Sequence, residues 1–175
     1  MKNYKLSDET KISTWGLVLH RVVATTTFTL ACGLTVNAGD VGGWIEKESN
    51  LSDNAWVTGD ALIYGDAKVY DNAVVCDNAQ VYGSAEVCDD AQIFSNACVT
   101  DYTLVSGEAQ IFGNAKVSDK ALVSGYTQVF GYACVGDNAR ILDNAEVGDN
   151  TRVSGDAQVY DNARVRGNAL VSNNA

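Results

Sequence analysis

The sequence contains no proline and only one histidine in 175 residues. Proline has no backbone N–H, so its absence is expected of a chain whose N–H groups enter one continuous hydrogen-bond ladder. With a single histidine, His20, the chain shows no Ser-His-Asp, P-loop or metal-ligand spacing. We therefore predict no catalytic residue, no cofactor and no bound metal.

Basic residues are also scarce, with 12 Lys and Arg against 22 Asp and Glu and a net charge of −10. Nucleic-acid and anionic-membrane binding both need clustered positive charge, so the composition disfavours both partners. The most apolar stretch, residues 15–36, is interrupted by His20, Arg21 and a threonine cluster. It is too polar to span a bilayer, and we predict no membrane association.

What the chain does have is a strict period of six. A Val, Ile or Leu occupies every sixth residue from Ile45 to Val171, in 22 successive hexads. When each hexad is numbered from this aliphatic residue, position 5 is Ala in 18 of the 22, and positions 3 and 4 are mostly Asp, Gly and Asn. A short period held over so many repeats indicates a solenoid.

The hexad also predicts the shape of each coil. Positions 5, 6, 1 and 2 alternate between small or aliphatic and variable residues, so positions 5 and 1 face the core and positions 6 and 2 face solvent. The Asp, Gly and Asn of positions 3 and 4 suit a corner that needs positive φ. Three sides close an 18-residue triangular coil, and about seven coils stack as parallel strands. The fold class is therefore all-β.

Residues 1–44 lack the repeat and form a second unit. Short β-rich segments and a turn over residues 37–43 predict a small β cap, which would cover the open edge of the first coil in the repeat domain, residues 45–175.

The five cysteines, at 32, 76, 88, 98 and 134, match no zinc spacing. The repeat puts Cys98 and Cys134 two coils apart, about 9–10 Å at strand spacing and too far for a disulfide. Cys76 and Cys88 fall on different faces. Together with a polar N-terminus that predicts no signal peptide, outward thiols without partners indicate a reducing, cytoplasmic location.

Two hexads carry the motif [LIV]-G-[DE]-N-[STAV]-x intact, as Val135-Gly-Asp-Asn-Ala139 and Val147-Gly-Asp-Asn-Thr151. This motif resembles the hexapeptide repeat of left-handed β-helix proteins, and the resemblance implies a left-handed parallel β-helix. The segments YKLSDET at 4–10 and GDVGGWIEKESNLS at 39–52 resemble the start of a bacterial and bacteriophage group within that superfamily. Its members are commonly labelled acyltransferases or polymer-forming proteins.

Hexapeptide acyltransferases use a histidine general base and a loop inserted between coils. Here His20 lies in the cap and no hexad is interrupted. Both observations count against catalysis, and a trimeric acyltransferase is the first alternative to a non-catalytic function. A second alternative is an acidic, phage-borne inhibitor that binds a host protein which handles nucleic acid.

Acidic corners raise a metal hypothesis, because Asp53, Asp71 and Asp89 stack on one corner and Asp101, Asp119 and Asp137 on another. Calcium prefers such oxygen ligands. Gly alternates with Asp in the same slot, however, which favours a role in the turn. Asn78, Asn96 and Asn114 are expected to form an amide ladder.

The outward positions of the third face are unusually aromatic. Three of the four phenylalanines, Phe94, Phe112 and Phe130, fall 18 residues apart and form one predicted ladder. A flat apolar stripe of this kind is typical of an interface. The predicted interface residues are Trp56, Val74, Gln92, Phe94, Gln110, Phe112, Tyr126, Gln128, Phe130 and Tyr132. We expect a non-catalytic scaffold that associates with itself as a dimer or trimer, or binds a protein partner.

Overall fold

The computed structural model describes residues 2–30 and 32–173, and within them the chain is a β-solenoid. Each strand of the repeat pairs in parallel with the strand 18 residues later, as in Gln80 with Cys98 and Val81 with Val99. The predicted all-β class and the stack of about seven coils are confirmed. The left-handed winding stays a prediction from the resemblance.

The cap consists of two hairpins and a connecting strand, and strands are numbered in chain order. Strands β1 (Tyr4–Ile12) and β2 (Val18–Ala24) form the first hairpin, and β3 (Phe28–Thr29) and β4 (Thr35–Val36) form the second. Strand β5 (Val41–Ile45) pairs antiparallel with β2 and parallel with the first sheet of the solenoid. The cap thus adds antiparallel strands to an otherwise open edge.

The solenoid has three faces, each one sheet. The first face holds β5, β7 (Leu62–Ile63), β10 (Gln80–Val81), β13 (Cys98–Val99), β16 (Lys116–Val117), β19 (Cys134–Val135), β22 (Arg152–Gly155) and β25 (Leu170–Asn173). The second holds β8 (Lys68–Val69), β11 (Glu86–Val87), β14 (Leu104–Val105), β17 (Leu122–Val123), β20 (Arg140–Ile141) and β23 (Gln158–Val159). The third holds β6 (Trp56–Val57), β9 (Val74–Val75), β12 (Gln92–Ile93), β15 (Gln110–Ile111), β18 (Gln128–Val129), β21 (Glu146–Val147) and β24 (Arg164–Val165). We number coils 1 to 7 by these seven strands of the third face.

Within the described residues one helical element interrupts the strands, a single 3-10 turn over Glu48–Asn50. The described part of the chain contains no helix that is long and apolar enough to cross a membrane.

The interior is a column of aliphatic and small side chains. Every aliphatic residue of the series from Ile45 to Val159 is at most 4% exposed. Most position-5 alanines between them are fully buried, and three are replaced by buried threonines, Thr103, Thr127 and Thr151. Burial of both positions confirms the predicted alternation, because a strand presents alternate residues to the same side.

The corners take the predicted backbone conformation. From residue 53 to residue 167, every position-3 residue has positive φ, whether Gly, Asp or, once, Ser95. Asp tolerates this left-handed region better than most residues with a Cβ. The interchange of Gly and Asp in the sequence is therefore a requirement of the turn.

Candidate functional site: the aromatic ladder of the third face

The three phenylalanines stack as the repeat predicts. The ring centroids of Phe94 and Phe112 are 4.9 Å apart with an interplanar angle of 3°, and those of Phe112 and Phe130 are 5.3 Å apart at 10°. Parallel strands lie about 4.8 Å apart, so identical side chains in register stack at that spacing. All three side chains remain partly exposed. We call these three residues the aromatic ladder.

The C-terminal end of the aromatic ladder is closed by two residues of the following coils. Gly148 occupies the equivalent outward position in coil 6, and a Cβ there would overlap the far end of the Phe130 ring. In coil 7 the guanidinium of Arg166 lies 5.4 Å from the Phe130 ring centroid, a cation–π distance. The carboxylate of Glu146 pairs with both Arg166 and Arg164 and holds this end in place.

Glutamines run beside the phenylalanines. Gln92, Gln110 and Gln128 pair in register at the preceding outward position of coils 3, 4 and 5, and all are partly exposed. They give the stripe a polar margin with donors and acceptors in equal number.

Two exposed tyrosines flank the aromatic ladder in coil 5. Tyr126 and Tyr132 occupy the corners on either side of Phe130 and are 64% and 65% exposed. A hydrogen bond to Glu108, in the coil before, raises the pKa of Tyr126. Coil 5 therefore presents three aromatic side chains across its width, which is the kind of composition found at protein interfaces.

The first two coils of this face differ from the prediction. Trp56 and Val74 are 2% and 6% exposed, so the expectation that they line an open surface is wrong. The β3–β4 hairpin covers them: Phe28 packs edge-on against Trp56 at 5.7 Å, and Leu30 and Val36 are buried in the same cluster. The residues of the cap that do this have no repeat register, so their position could not be read from the sequence.

The first face also has a stacked aromatic pair, but the cap covers most of it. Tyr64 and Tyr82 stack at 4.9 Å and 2°, and Tyr64 and Trp44 are buried together with Leu19 of the cap. Trp44 also lies beneath the side chains of Lys11 and Arg21. The aromatic ladder of the third face is thus the stacked set that the cap leaves open.

The corner aspartates have a structural role. Their carboxylates accept the backbone N–H of the equivalent corner residue one coil later, for example Asp89 from Gly107 at 2.9 Å and Asp149 from Gly167 at 2.8 Å. The same bond is made by Asp71, Asp77, Asp101, Asp119, Asp137 and Asp143. These bonds support the turn interpretation over the metal hypothesis, although Asp71, Cys88 and Asp89 bring one ligand atom each within 4.8 Å of one another.

The bond from Asp137 N–H and a second from the Ser118 hydroxyl lower the pKa of Asp119. A carboxylate that accepts hydrogen bonds is stabilised in its charged form. The amide ladder at a second corner is confirmed, because Asn78 donates to Asn96 at 3.4 Å and Asn96 to Asn114 at 3.3 Å.

The cysteines and the histidine lie away from the aromatic ladder or at its margin. All five cysteines are free, but Cys88 is buried although it occupies an outward position, and burial raises its thiol pKa. Burial raises the pKa of Cys76 to about 11. His20 is half-buried in β2, opposite Thr10 of β1 and Ile45 of β5.

The model of a family described as YdcK Beta solenoid repeat matches residues 157–173, about one coil. This match supports a relationship between these repeats and a β-solenoid repeat family. No curated protein matches the chain.

Proposed function

We propose that this protein is a non-catalytic scaffold that associates with itself through the aromatic ladder. The observation that carries the proposal is the incomplete burial of a stacked aromatic stripe. Phe94, Phe112 and Phe130 stack on one another and remain partly exposed, and the exposed Tyr126 and Tyr132 extend the aromatic surface to both corners.

Aromatic clusters next to the cap are buried, whereas the aromatic ladder is not. Wherever else aromatic side chains stack or cluster on an outward position near the cap, the cap packs over them, as on Trp56 and Tyr64. Exposed contiguous apolar surface is costly in a soluble protein and marks a surface that is covered in use. A second copy of the chain is the simplest cover, because it is always present at the same concentration.

The experiment is a light-scattering mass measured across a dilution series. We expect the wild type to rise above monomer mass with concentration, and the variant Phe94→Ser/Phe112→Ser/Phe130→Ser to remain a folded monomer. The matched control is Leu104→Ser/Leu122→Ser/Leu142→Ser, which removes three half-buried apolar side chains from the second face. The proposal fails if the wild type is a monomer throughout, or if the leucine variant dissociates and the phenylalanine variant does not.

A further inference from the structure

One corner of the solenoid brings a thiol together with two carboxylates. It is a corner between the second and third faces, where Asp71 follows strand β8, and Cys88 and Asp89 follow strand β11 in the next coil. The Cys88 Sγ and one carboxylate oxygen of each aspartate all lie within 4.8 Å of one another. Among the described residues no other three His, Cys, Asp or Glu side chains converge in this way.

The thiol of this group is buried, and its sulfur has no hydrogen-bond donor. Cys88 is 8% exposed, and no described residue donates a hydrogen bond to its Sγ. The hydroxyl of the neighbouring Tyr70 donates to Glu86 instead, at 3.5 Å. Burial and the nearby carboxylates raise the pKa of the Cys88 thiol. The lone pairs of the sulfur therefore remain available to a cation that could also neutralise the two carboxylates.

The turn hydrogen bonds do not occupy both oxygens of these carboxylates. Asp71 and Asp89 each accept a corner N–H through Oδ2, at 3.4 Å and 2.9 Å. Their Oδ1 atoms accept no hydrogen bond from the residues that the structure describes, and both side chains are exposed. Each aspartate can therefore support its turn with one oxygen and offer the other to a ligand.

We propose that Asp71, Cys88 and Asp89 bind one zinc-type divalent cation. Zinc takes thiolate sulfur at about 2.3 Å and carboxylate oxygen at about 2.0–2.2 Å, and sites with three protein ligands hold water in the fourth position. The exposed aspartates close the remaining distance by rotation about their side-chain bonds. When the metal–sulfur bond forms, the thiol proton leaves to solvent and no electron is transferred.

The sulfur decides which cation fits this corner. Calcium and magnesium take oxygen ligands, so acidic corners alone would favour those ions. A thiolate is a soft ligand that favours zinc and related transition metals. This site is independent of the aromatic ladder and does not rest on the proposed function.

A second corner of the chain has the same dipeptide but lacks one ligand. The sequence Cys-Asp occurs twice, as Cys76-Asp77 and Cys88-Asp89. In both places the aspartate has positive φ and accepts the corner N–H of the next coil. One coil earlier, the equivalent corner residue is Gly59 in the first case and Asp71 in the second. The first corner therefore offers a cation one carboxylate, and the second offers two.

The test is a titration of the full chain with Co²⁺, which takes the same ligands as Zn²⁺. Co²⁺ gives a near-ultraviolet charge-transfer band when a thiolate binds it, so the band reports on sulfur ligation directly. The two exposed thiols, Cys32 and Cys134, are replaced by serine throughout. We expect one equivalent of Co²⁺ to produce the band. Zn²⁺ should abolish it by displacement, and Ca²⁺ in large excess should not.

Three substitutions identify the ligands. Asp71→Gly makes this corner equivalent to the one at Cys76 and keeps a positive φ that glycine adopts readily, so the fold is retained. It should weaken Co²⁺ binding by at least about tenfold, since loss of even an outer-sphere partner has an effect of that size. Cys88→Ser should abolish the band. Cys76→Ser is the matched control and should leave the band unchanged.

Several results would overturn the proposal. One is the absence of the band in a chain that circular dichroism shows to be folded, and another is a band that persists in Cys88→Ser. Equal Co²⁺ affinity in Asp71→Gly and its parent would show a thiol acting without the carboxylates, and this variant decides the question if Cys88→Ser does not fold. Displacement of Co²⁺ by Ca²⁺ would show that the cation binds the acidic corner without the sulfur.

Discussion

The ring of Phe130 lies over Gly148 of the next coil, in the space that a side chain at residue 148 would fill. The aromatic ladder therefore ends because the next outward position is empty, and its last ring rests on backbone. Gly148 has no positive φ, so its lack of a side chain, and not its conformational freedom, is what the structure uses.

This contact makes a testable prediction. Gly148→Ala forces the Phe130 ring outward, and we expect it to lower the free energy of unfolding by about 1 kcal/mol, as overpacking does. In a Phe130→Ala background the same substitution meets no ring. It should then cost much less, so that a double-mutant cycle from denaturant unfolding shows coupling between the two positions. Equal effects in both backgrounds would contradict the contact.

A second prediction concerns the threonines of the core. Thr127 is fully buried, and its Oγ1 has no hydrogen-bond partner among the described residues. A buried hydroxyl without a partner loses its hydrogen bonds to water on folding and forms none within the protein, which lowers the stability of the folded state. We expect Thr127→Val, which keeps the shape, to raise the free energy of unfolding by about 1 kcal/mol.

Thr103 is the matched control for this substitution. It occupies the same hexad position and is 1% exposed, but its hydroxyl donates to the Thr100 carbonyl at 2.6 Å. Thr103→Val removes that bond and leaves the carbonyl without its donor, so it should lower stability by about 1 kcal/mol. Denaturant midpoints that shift in the same direction for both variants would show that the hydroxyl bonds do not decide the effect.

A third prediction follows from the corner carboxylates. The pKa of Asp119 is lowered in the folded state by its bond from Asp137 N–H. The unfolded chain therefore binds the proton more readily, and Asp119 contributes stability above about pH 4 that is lost as the pH falls through its folded pKa. We expect Asp119→Asn to weaken the acid loss of stability, measured by denaturant midpoints from pH 6 to pH 3.

Asp53 provides the comparison for this prediction. It has the same positive φ and accepts its own corner's Ser52 hydroxyl, as Asp119 accepts that of Ser118. Among the described residues it accepts no N–H from the next coil. Asp53→Asn is therefore the control that lacks the inter-coil bond. A flattening as large as that of Asp119→Asn would exclude the inter-coil bond as the cause.

Much of this structure is predictable from the sequence because the repeat fixes side-chain direction. The period of six places Val and Ala inside, and the Gly and Asp of position 3 mark the positive-φ corners. It also brings Phe94, Phe112 and Phe130 into one stack, since residues 18 apart lie in adjacent coils. These features follow from periodicity alone.

The cap could not be predicted in the same way. Residues 1–44 have no period, so nothing in the sequence specifies which face the β3–β4 hairpin covers. Trp56 and Val74 were expected on an open surface for this reason. The available signal was Phe28, the one phenylalanine outside the aromatic ladder, in a short β-rich segment that needed an apolar surface.

The hydrogen bonds between corners of successive coils could not be predicted from the sequence either. The turn role of Asp could be read from its exchange with Gly, but the acceptance of an N–H one coil away depends on the rotamer. Gly in the same slot has no carboxylate that could accept that N–H. The sequence therefore indicated the turn but not the link between coils.

The most direct test of self-association through the third face is hydroxyl-radical footprinting of the wild type. It is carried out at concentrations below and above the one at which light scattering shows the mass rising above that of the monomer. Tyr126 and Tyr132 report on the third face, and the exposed Tyr102 and Tyr160 are internal references elsewhere on the solenoid. The account predicts that oxidation of Tyr126, Tyr132 and Phe112 falls as the mass rises, while Tyr102 and Tyr160 react unchanged. A rise in mass with full reactivity at Tyr126 and Tyr132, or with protection at Tyr102 or Tyr160 instead, would contradict it.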